Sequence, residues 1–284
     1  MGRHEHSTDP LRQSPEAISE VDVDSPNSAR MYDHYLGGSA NFAVDRTEAE
    51  RVLEAFPAMG RWARANRSFL GRAVASLSER GIDQFLDLGS GIPTIGNVHE
   101  IAHRHNPHAR IAYVDCEPVA VAHARRLLSD EDRVSITQAD IRDPHHVLAA
   151  PGVSELLDFN RPVAVLAVAV LHALPETDQP ARLMADYRKV CAPGSALVLT
   201  HGVRTTLTDE QYERFLASYR NTPTPATFRT VDQVAALLDG YQLLDPGLVP
   251  LDQWRPESPV DEATAIETNC YAAVGNLPGE PDHP

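Results

Sequence analysis

The chain has 284 residues, 42% of them hydrophobic, and a formal net charge of −15 at pH 7. That length suits one large α/β domain, or one domain with an appendage. The acidic balance argues against an unaided grip on nucleic-acid phosphates, which needs a basic face, and it favours a small or neutral substrate.

Residues 1–25 are polar and rich in Ser, Asp, Glu and Pro, the composition of a disordered tail. They contain no apolar core for a signal peptide. From residue 26 to 80 the pattern turns helical. Pro57 breaks "TEAERVLEAFPAMGRWARANRSFLGRAVASLSERG" into two helices, and Gly81 closes the second. The preceding "ARMYDHYLGGSANFAVDR" cannot be one uninterrupted helix, and Gly37-Gly38 is expected to act as a hinge in it.

Residues 81–277 alternate strand and helix. The predicted strands are "QFLDLG", "RIAYVD", "RVSITQAD", "PVAVLAVAV", "SALVLT", "YQLLDPGLV" and "NCYAAVG". Helices fit at "IGNVHEIAHRH", "EPVAVAHARRLL", around "PARLMADYRKVC", and at "VDQVAALLDG". The alternation predicts an α/β fold with a doubly wound, mostly parallel seven-stranded sheet. A ligand would then sit at the carboxyl ends of the strands. "PVAVLAVAVLHAL" is too short for a membrane span, which takes roughly 18 apolar residues, and reads as a strand buried on both faces. Residues 278–284 read as a frayed tail. The three cysteines, Cys116, Cys191 and Cys270, form no CxxC pair and fit a reducing cytoplasm.

Three strand ends carry chemistry. In "FLDLGSGIPT", Gly89 and Gly91 allow a sharp turn and close approach of backbone to a ligand. Pro93 lacks the N–H that a pyrophosphate site would use. Asp87 would repel a diphosphate and suits a cation, although a plain turn is the alternative. In "YVDCEP", Asp115 lies about two dozen residues beyond Gly91, where a carboxylate accepts both ribose hydroxyls. It could instead cap the helix beginning at Pro118. Asp140, in "ITQADIRDP", is placed to accept from an adenine amino group or to close a turn. Together the corners describe an adenosine site with a weak diphosphate clamp. S-adenosyl-L-methionine (SAM) meets that description: it carries a sulfonium and an amino acid but no phosphate.

These segments, with "SARMYDHYLGGSANFAVDR", "ANRSFLGRAV", "VAVLHALP" and "APGSALVLTH", resemble an actinobacterial family of SAM-dependent methyltransferases long catalogued as a domain of unknown function. The similarity covers roughly residues 26–255. It implies a Rossmann-like class I methyltransferase fold with an N-terminal helical lid, SAM as cofactor, and specific contacts. Gly89, Ser90 and Gly91 would pass under the methionine and sugar. Asp115 would hold the ribose with Cys116 beside the adenine, and Asp140 and Ile141 would meet the adenine edge and face. Val168 to His172 would close the wall near the sulfonium.

The segment over 26–80 is expected to fold over the strand ends. Arg30 or Arg67 would bind the SAM carboxylate, and Tyr32 and Tyr35 would face the sulfonium or act on the substrate. Packing on the core is the alternative for these aromatics. His172 is the foremost general-base candidate, against a structural histidine capped by a backbone carbonyl; His201 is a lesser one. "HRHNPH" is not read as a metal site, because no acid or cysteine joins it at ligand spacing.

Methyl transfer to a small molecule, in specialised metabolism, is the first reading. A sulfonium activates all three of its carbons. The alternative is therefore transfer of the aminocarboxypropyl arm, or its cyclisation to 1-aminocyclopropane-1-carboxylate with release of methylthioadenosine. A non-catalytic SAM-binding protein is the third. The partners expected are a small molecule or SAM alone, with no nucleic acid and no membrane.

Overall fold

Pro57 divides the N-terminal helices where the sequence predicts. In the computed structural model, which describes residues 22–93, 96–219 and 226–279, helix α1 spans Ser28–Tyr35, α2 Ala43–Ala55 and α3 Met59–Glu79. Of the tails expected over 1–25 and 278–284, residues 1–21 and 280–284 lie outside the described residues, as does Thr94 of the glycine turn. Asn27 caps α1: its side-chain oxygen accepts from the N–H groups of Ala29 and Arg30, a cap worth about 1 kcal/mol.

The predicted hinge at Gly37-Gly38 is a locked turn. Asp33 Oδ2 accepts from Ala40 N and from Asn41 Nδ2, both at 2.8 Å. A methyl group on Gly38 would fall 2.0 Å from Asp33 Oδ1. The side chain of Asp33 therefore fills the space that a hinge would need.

The sheet has eight strands in the order β3-β2-β1-β4-β5-β8-β6, with β7 also paired to β8. Strands β1 (Gln84–Leu88), β2 (Arg110–Asp115), β3 (Val134–Gln138), β4 (Ala164–Ala167) and β5 (Ala196–Gly202) are parallel. β8 (Cys270–Asn276) runs antiparallel to β5. The eighth strand corrects the expected seven. "YQLLDPGLV" is interrupted at Asp245-Pro246-Gly247 and gives two short strands, β6 (Gln242–Leu243) and β7 (Val249–Pro250). Pro246 has no N–H for a ladder.

Helices α4 (Val98–His105), α5 (Pro118–Leu127), α8 (Pro180–Lys189) and α10 (Val231–Ala236) match predicted helices. The short α6 (Pro144–Ala149) and α7 (Pro151–Ser154), together with α9 (Asp209–Ser218) and α11 (Glu262–Ile266), were not signalled.

Strand periodicity sorts the core onto two faces. Phe85, Leu166 and Val198 pack with Phe69, Val74 and Leu77 of α3. Leu86, Val165 and Leu197 face Leu183, Met184 and Tyr187 of α8 on the other side. Each such buried side chain contributes about 1.5–3 kcal/mol. The C-terminal half of α3 thus belongs to the sheet's core, and α1, α2 and the start of α3 form a third cluster with Phe215 of α9. The helical segment over 26–80 is therefore cap in its first part and core in its second. Between β1 and β4 the strand order reverses, which opens a crevice at the carboxyl ends of the strands.

Candidate active site

A cavity of about 370 Å3 occupies that crevice, within the size range of small-molecule sites. Its walls include Gly89, Ser90 and Gly91 after β1, Asp115 and Cys116 after β2, Asp140 and Ile141 after β3, and Val168 to Val170 and His172 after β4. Asp87 also faces it, with Arg67 from α3 and Tyr32 and Tyr35 from α1. The structure thus gathers the site residues predicted from the sequence, except Arg30, the lesser base candidate His201, and Leu171 of the wall expected over Val168 to His172.

Arg30 is the correction. It is 2% exposed; its Nε donates to Asp45 Oδ2 at 2.8 Å and its Nη1 to Glu117 Oε1 at 3.2 Å. Glu117 also accepts from Asn27 Nδ2 at 2.6 Å. The guanidinium is spent on tying the cap to the corner after β2, so Arg67 is left as the cation for a ligand carboxylate.

The glycine turn is shaped by close packing. Gly89 has φ +70°, and a Cβ there would lie 2.4 Å from Val170 Cγ2. A Cβ on Gly91 would meet open space, on the cavity side. Asp115 is fixed by two amides: its Oδ2 accepts from Gly91 N at 2.7 Å and its Oδ1 from Glu117 N at 2.8 Å. Burial raises its pKa, and these bonds oppose the rise. The carboxylate retains lone pairs for further donors, so the capping and ribose readings are compatible. Asp140 is held by Arg142, whose Nε and Nη2 donate to it, and that bond keeps its pKa below the ordinary value. The Cys116 thiol is pushed up to about 11, by burial first and by Asp115 and Asp140 next.

Two charged groups of the wall suit the amino-acid end of SAM. Asp87 is 6% exposed, and its carboxylate has no hydrogen-bond partner among the described residues. Burial pushes its pKa up to about 7; Arg67 opposes this and Asp115 adds to it. Arg67 Nε is buried and likewise unpartnered, with the guanidinium 5.6 Å from the Tyr32 ring centroid. A buried acid and a half-buried cation whose Nε has no hydrogen-bond partner among the described residues complement a zwitterion.

The two tyrosines supply walls rather than titrating hydroxyls. Tyr32 Oη donates to Ala63 O at 3.1 Å and accepts from Asn66 Nδ2 at 2.9 Å, and burial raises its pKa. Burial drives Tyr35 far above the ordinary tyrosine range, with Tyr219 adding to the effect. Beneath them runs a polar relay that sequence reasoning missed. Asn66 Oδ1 accepts from Thr200 Oγ1 at 2.8 Å, and Thr200 Oγ1 accepts from Ala169 N at 2.8 Å. Ala169 has φ +55°, a conformation that costs a non-glycine residue about 1–3 kcal/mol and is held only where surroundings over-determine it.

The histidines separate by their partners. His201 is buried, with Nδ1 2.8 Å from Gly202 O and Nε2 2.6 Å from Arg229 Nη1. A guanidinium can only donate, so Nε2 accepts and Nδ1 carries the proton. His201 is the histidine capped by a carbonyl, and it has no nitrogen left for a substrate. His172 has no hydrogen bond from either ring nitrogen among the described residues, and it lines the cavity. Burial, then the nearby Arg229 charge, lowers its pKa to about 4, so the ring is neutral at pH 7. Arg229 is itself missed by sequence reading. Its Nη1 and Nη2 donate to Leu171 O and Leu174 O, bracing the turn that carries His172. "FRTVDQV" contains no motif that would signal this role.

His103 of the "HRHNPH" stretch meets Ala109 O through Nε2 at 3.0 Å. Among the described residues no group of three or more His, Cys, Asp or Glu is placed to hold a metal, and no helix is long and apolar enough to cross a membrane.

A sequence profile described as S-adenosyl methyltransferase matches residues 14–278. Among solved structures, the chain is similar to a Thermobifida fusca protein assigned as a methyltransferase. The two share 36% identity over 95% of this chain and 100% of that one, with a TM-score of 0.86. It is also similar to a DUF574 family protein of Streptomyces avermitilis, at 33% identity over 90% and 99% of the two chains and a TM-score of 0.83. No curated protein matches the chain.

Proposed function

We propose, for a chain that belongs to the S-adenosyl methyltransferase family and is a SAM-dependent methyltransferase of class I fold, that the acceptor is a small molecule bound in the same cavity beside His172. The observation that carries this reading is the shared wall: His172, with both ring nitrogens unpartnered among the described residues, lines the cavity that also gathers Asp87, Gly89, Gly91, Asp115 and Asp140.

SAM supplies a methyl group made electrophilic by its sulfonium. The chain's own residues do the rest. Arg67 and Asp87 would hold the carboxylate and the ammonium, Asp115 the ribose, and Asp140 and Ile141 the adenine. α1, fixed to Glu117 by Arg30 and Asn27, covers the crevice and excludes water. His172 accepts the proton that an acceptor hydroxyl or ammonium must lose, and Arg229 holds His172 in place. Positioning and one base are the expected sources of rate.

The wall beyond Arg67 and Asp87 continues through Trp62, Leu174 and Tyr219. An aromatic and apolar stretch of wall there supports transfer over cyclisation of the aminocarboxypropyl arm, which needs a pocket closed to acceptors. The described wall has no cluster of cations for phosphorylated or coenzyme-linked metabolites or for nucleic acid. That supports an acceptor from specialised metabolism. Product analysis tests the reading. Incubated with SAM and a small-molecule acceptor panel, the protein should form S-adenosylhomocysteine (SAH) in step with a methylated product. Methylthioadenosine accumulating above the no-enzyme rate, without SAH, would overturn it.

A further inference from the structure

Three residues of the cavity wall, Trp62, His172 and Tyr219, also line a second, smaller pocket of about 40 Å3. Phe56, Met59, Phe215 and Phe228 also line it. The shared wall is built from rings set edge to face. Trp62 stands edge-to-face between Tyr32, at 5.5 Å and 84°, and His172, at 6.2 Å and 80°. Phe215 sits edge-to-face with Phe56 at 6.0 Å and with Phe228 at 5.2 Å. None of these contacts belongs to the adenosine corners.

Charge narrows what such a wall can take. Among the described residues the cations of the cavity wall are Arg67 and Arg142. Arg67 would be matched by the SAM carboxylate, and Arg142 is paired with Asp140 at 2.5 Å and Asp178 at 3.6 Å. The carboxylates of Asp87, Asp115, Glu117, Asp140 and Asp178 face the same space. Among the described residues an anionic acceptor would find no free cation and several like charges. The rings instead offer faces and edges for another ring.

His172 decides the nucleophile. A neutral amine already carries a free lone pair, whereas a hydroxyl must shed a proton as it is methylated, and His172 is the neutral base at that wall. The smaller pocket decides the ring's outline. At about 40 Å3 it is well below the roughly 150 Å3 that admits a benzene ring. It takes a short alkyl substituent, while the ring itself stays in the larger cavity.

We propose that the methyl acceptor is an uncharged, alkyl-bearing phenol, its ring against Trp62 and Tyr219, its hydroxyl at His172 and its alkyl group in the pocket behind. This rests on the methyl-transfer reading above. The phenol oxygen forms the new O–C bond as the C–S bond breaks, the bonding pair returns to sulfur, and the hydroxyl proton goes to His172 and then to solvent. The products are an aryl methyl ether and SAH.

Binding to the full chain saturated with SAH tests this without relying on turnover. The probes are 4-ethylphenol, 4-ethylcyclohexanol and 4-hydroxybenzoate, followed by saturation-transfer NMR and calorimetry. 4-Ethylphenol should bind at least about tenfold more tightly than either of the others. With SAM in place of SAH it should yield 4-ethylanisole and SAH one for one. Trp62→Leu should weaken 4-ethylphenol about tenfold with SAH affinity kept, and Tyr219→Leu should do the same if the first variant fails to fold. Equal binding of 4-hydroxybenzoate or 4-ethylcyclohexanol would overturn the proposal while leaving SAM-dependent methyl transfer intact. So would methylation of 4-ethylaniline but not of 4-ethylphenol. Failure to bind SAH at all would overturn the methyl-transfer reading and this proposal together.

Discussion

Replacing Asp87 by Asn should make the ligand-free protein more stable and a poorer binder of SAM. Asp87 is 6% exposed and its pKa rises from 3.8 to about 7, chiefly through burial. The folded state therefore keeps a proton that the unfolded state has lost. The penalty is absent below pH 3.8, grows as the pH rises, and is complete above about 7. There it amounts to about 4 kcal/mol of lost stability. SAM relieves the penalty if its ammonium pairs with the ionised carboxylate. With a pKa near 7, Asp87 is about 3% ionised at pH 5.5 and about three-quarters ionised at pH 7.5, so SAM affinity should rise about 20-fold across that interval. The ammonium stays mostly protonated throughout. Calorimetric titration at the two pH values, with melting curves at pH 4 and 8, reads both effects. Asp87→Asn should flatten the pH dependence and weaken SAM at pH 7.5 by about tenfold or more. It should also raise the melting temperature at pH 8 but not at pH 4. Wild-type affinity that is the same at both pH values, or an Asn variant that keeps the dependence, would refute the pairing.

Arg67→Gln should also weaken SAM, by about tenfold or more in the same titration. His172→Asn should leave SAM affinity within about twofold and lower the rate of SAH formation with an accepted substrate by about 100-fold or more. Because the folded pKa of His172 is about 4, the wild-type rate should owe no acid limb to this group above about pH 5. Arg229→Met should destabilise the protein by about 3–5 kcal/mol in denaturant unfolding, since it strips the partners from Leu171 O, Leu174 O and His201. Glu176→Gln, at a partner that is 72% exposed, should cost less than about 1 kcal/mol.

The adenosine corners were legible because each combines two local signals, a buried strand and an acid or glycine where it ends. Asp87, Gly89, Asp115 and Asp140 could be placed on one edge of the sheet from strand alternation alone. The family read from these motifs is the family found. The direction of Arg30 was not legible, because it depends on Glu117, 87 residues away, and on how α1 docks. Sequence spacing likewise presented His172 and His201 as similar histidines after adjacent strands. What separates them is Arg229, which comes from a loop with no motif and fills the hydrogen-bonding capacity of one ring but not the other. Trp62 looked like an ordinary apolar position of α3. Its place between Tyr32 and His172 depends on tertiary packing. The extra strand arose from Pro246, whose effect on a ladder was readable but was outweighed by the hydrophobic run around it.

A crystal structure with bound SAM tests the central claim most directly. The expected result places the carboxylate on Arg67, the ammonium on Asp87, the ribose on Asp115 and the sulfonium methyl toward His172 and Trp62. SAM bound with its methyl group sealed against the wall and its Cα facing the open end of the cavity would contradict methyl transfer from this site.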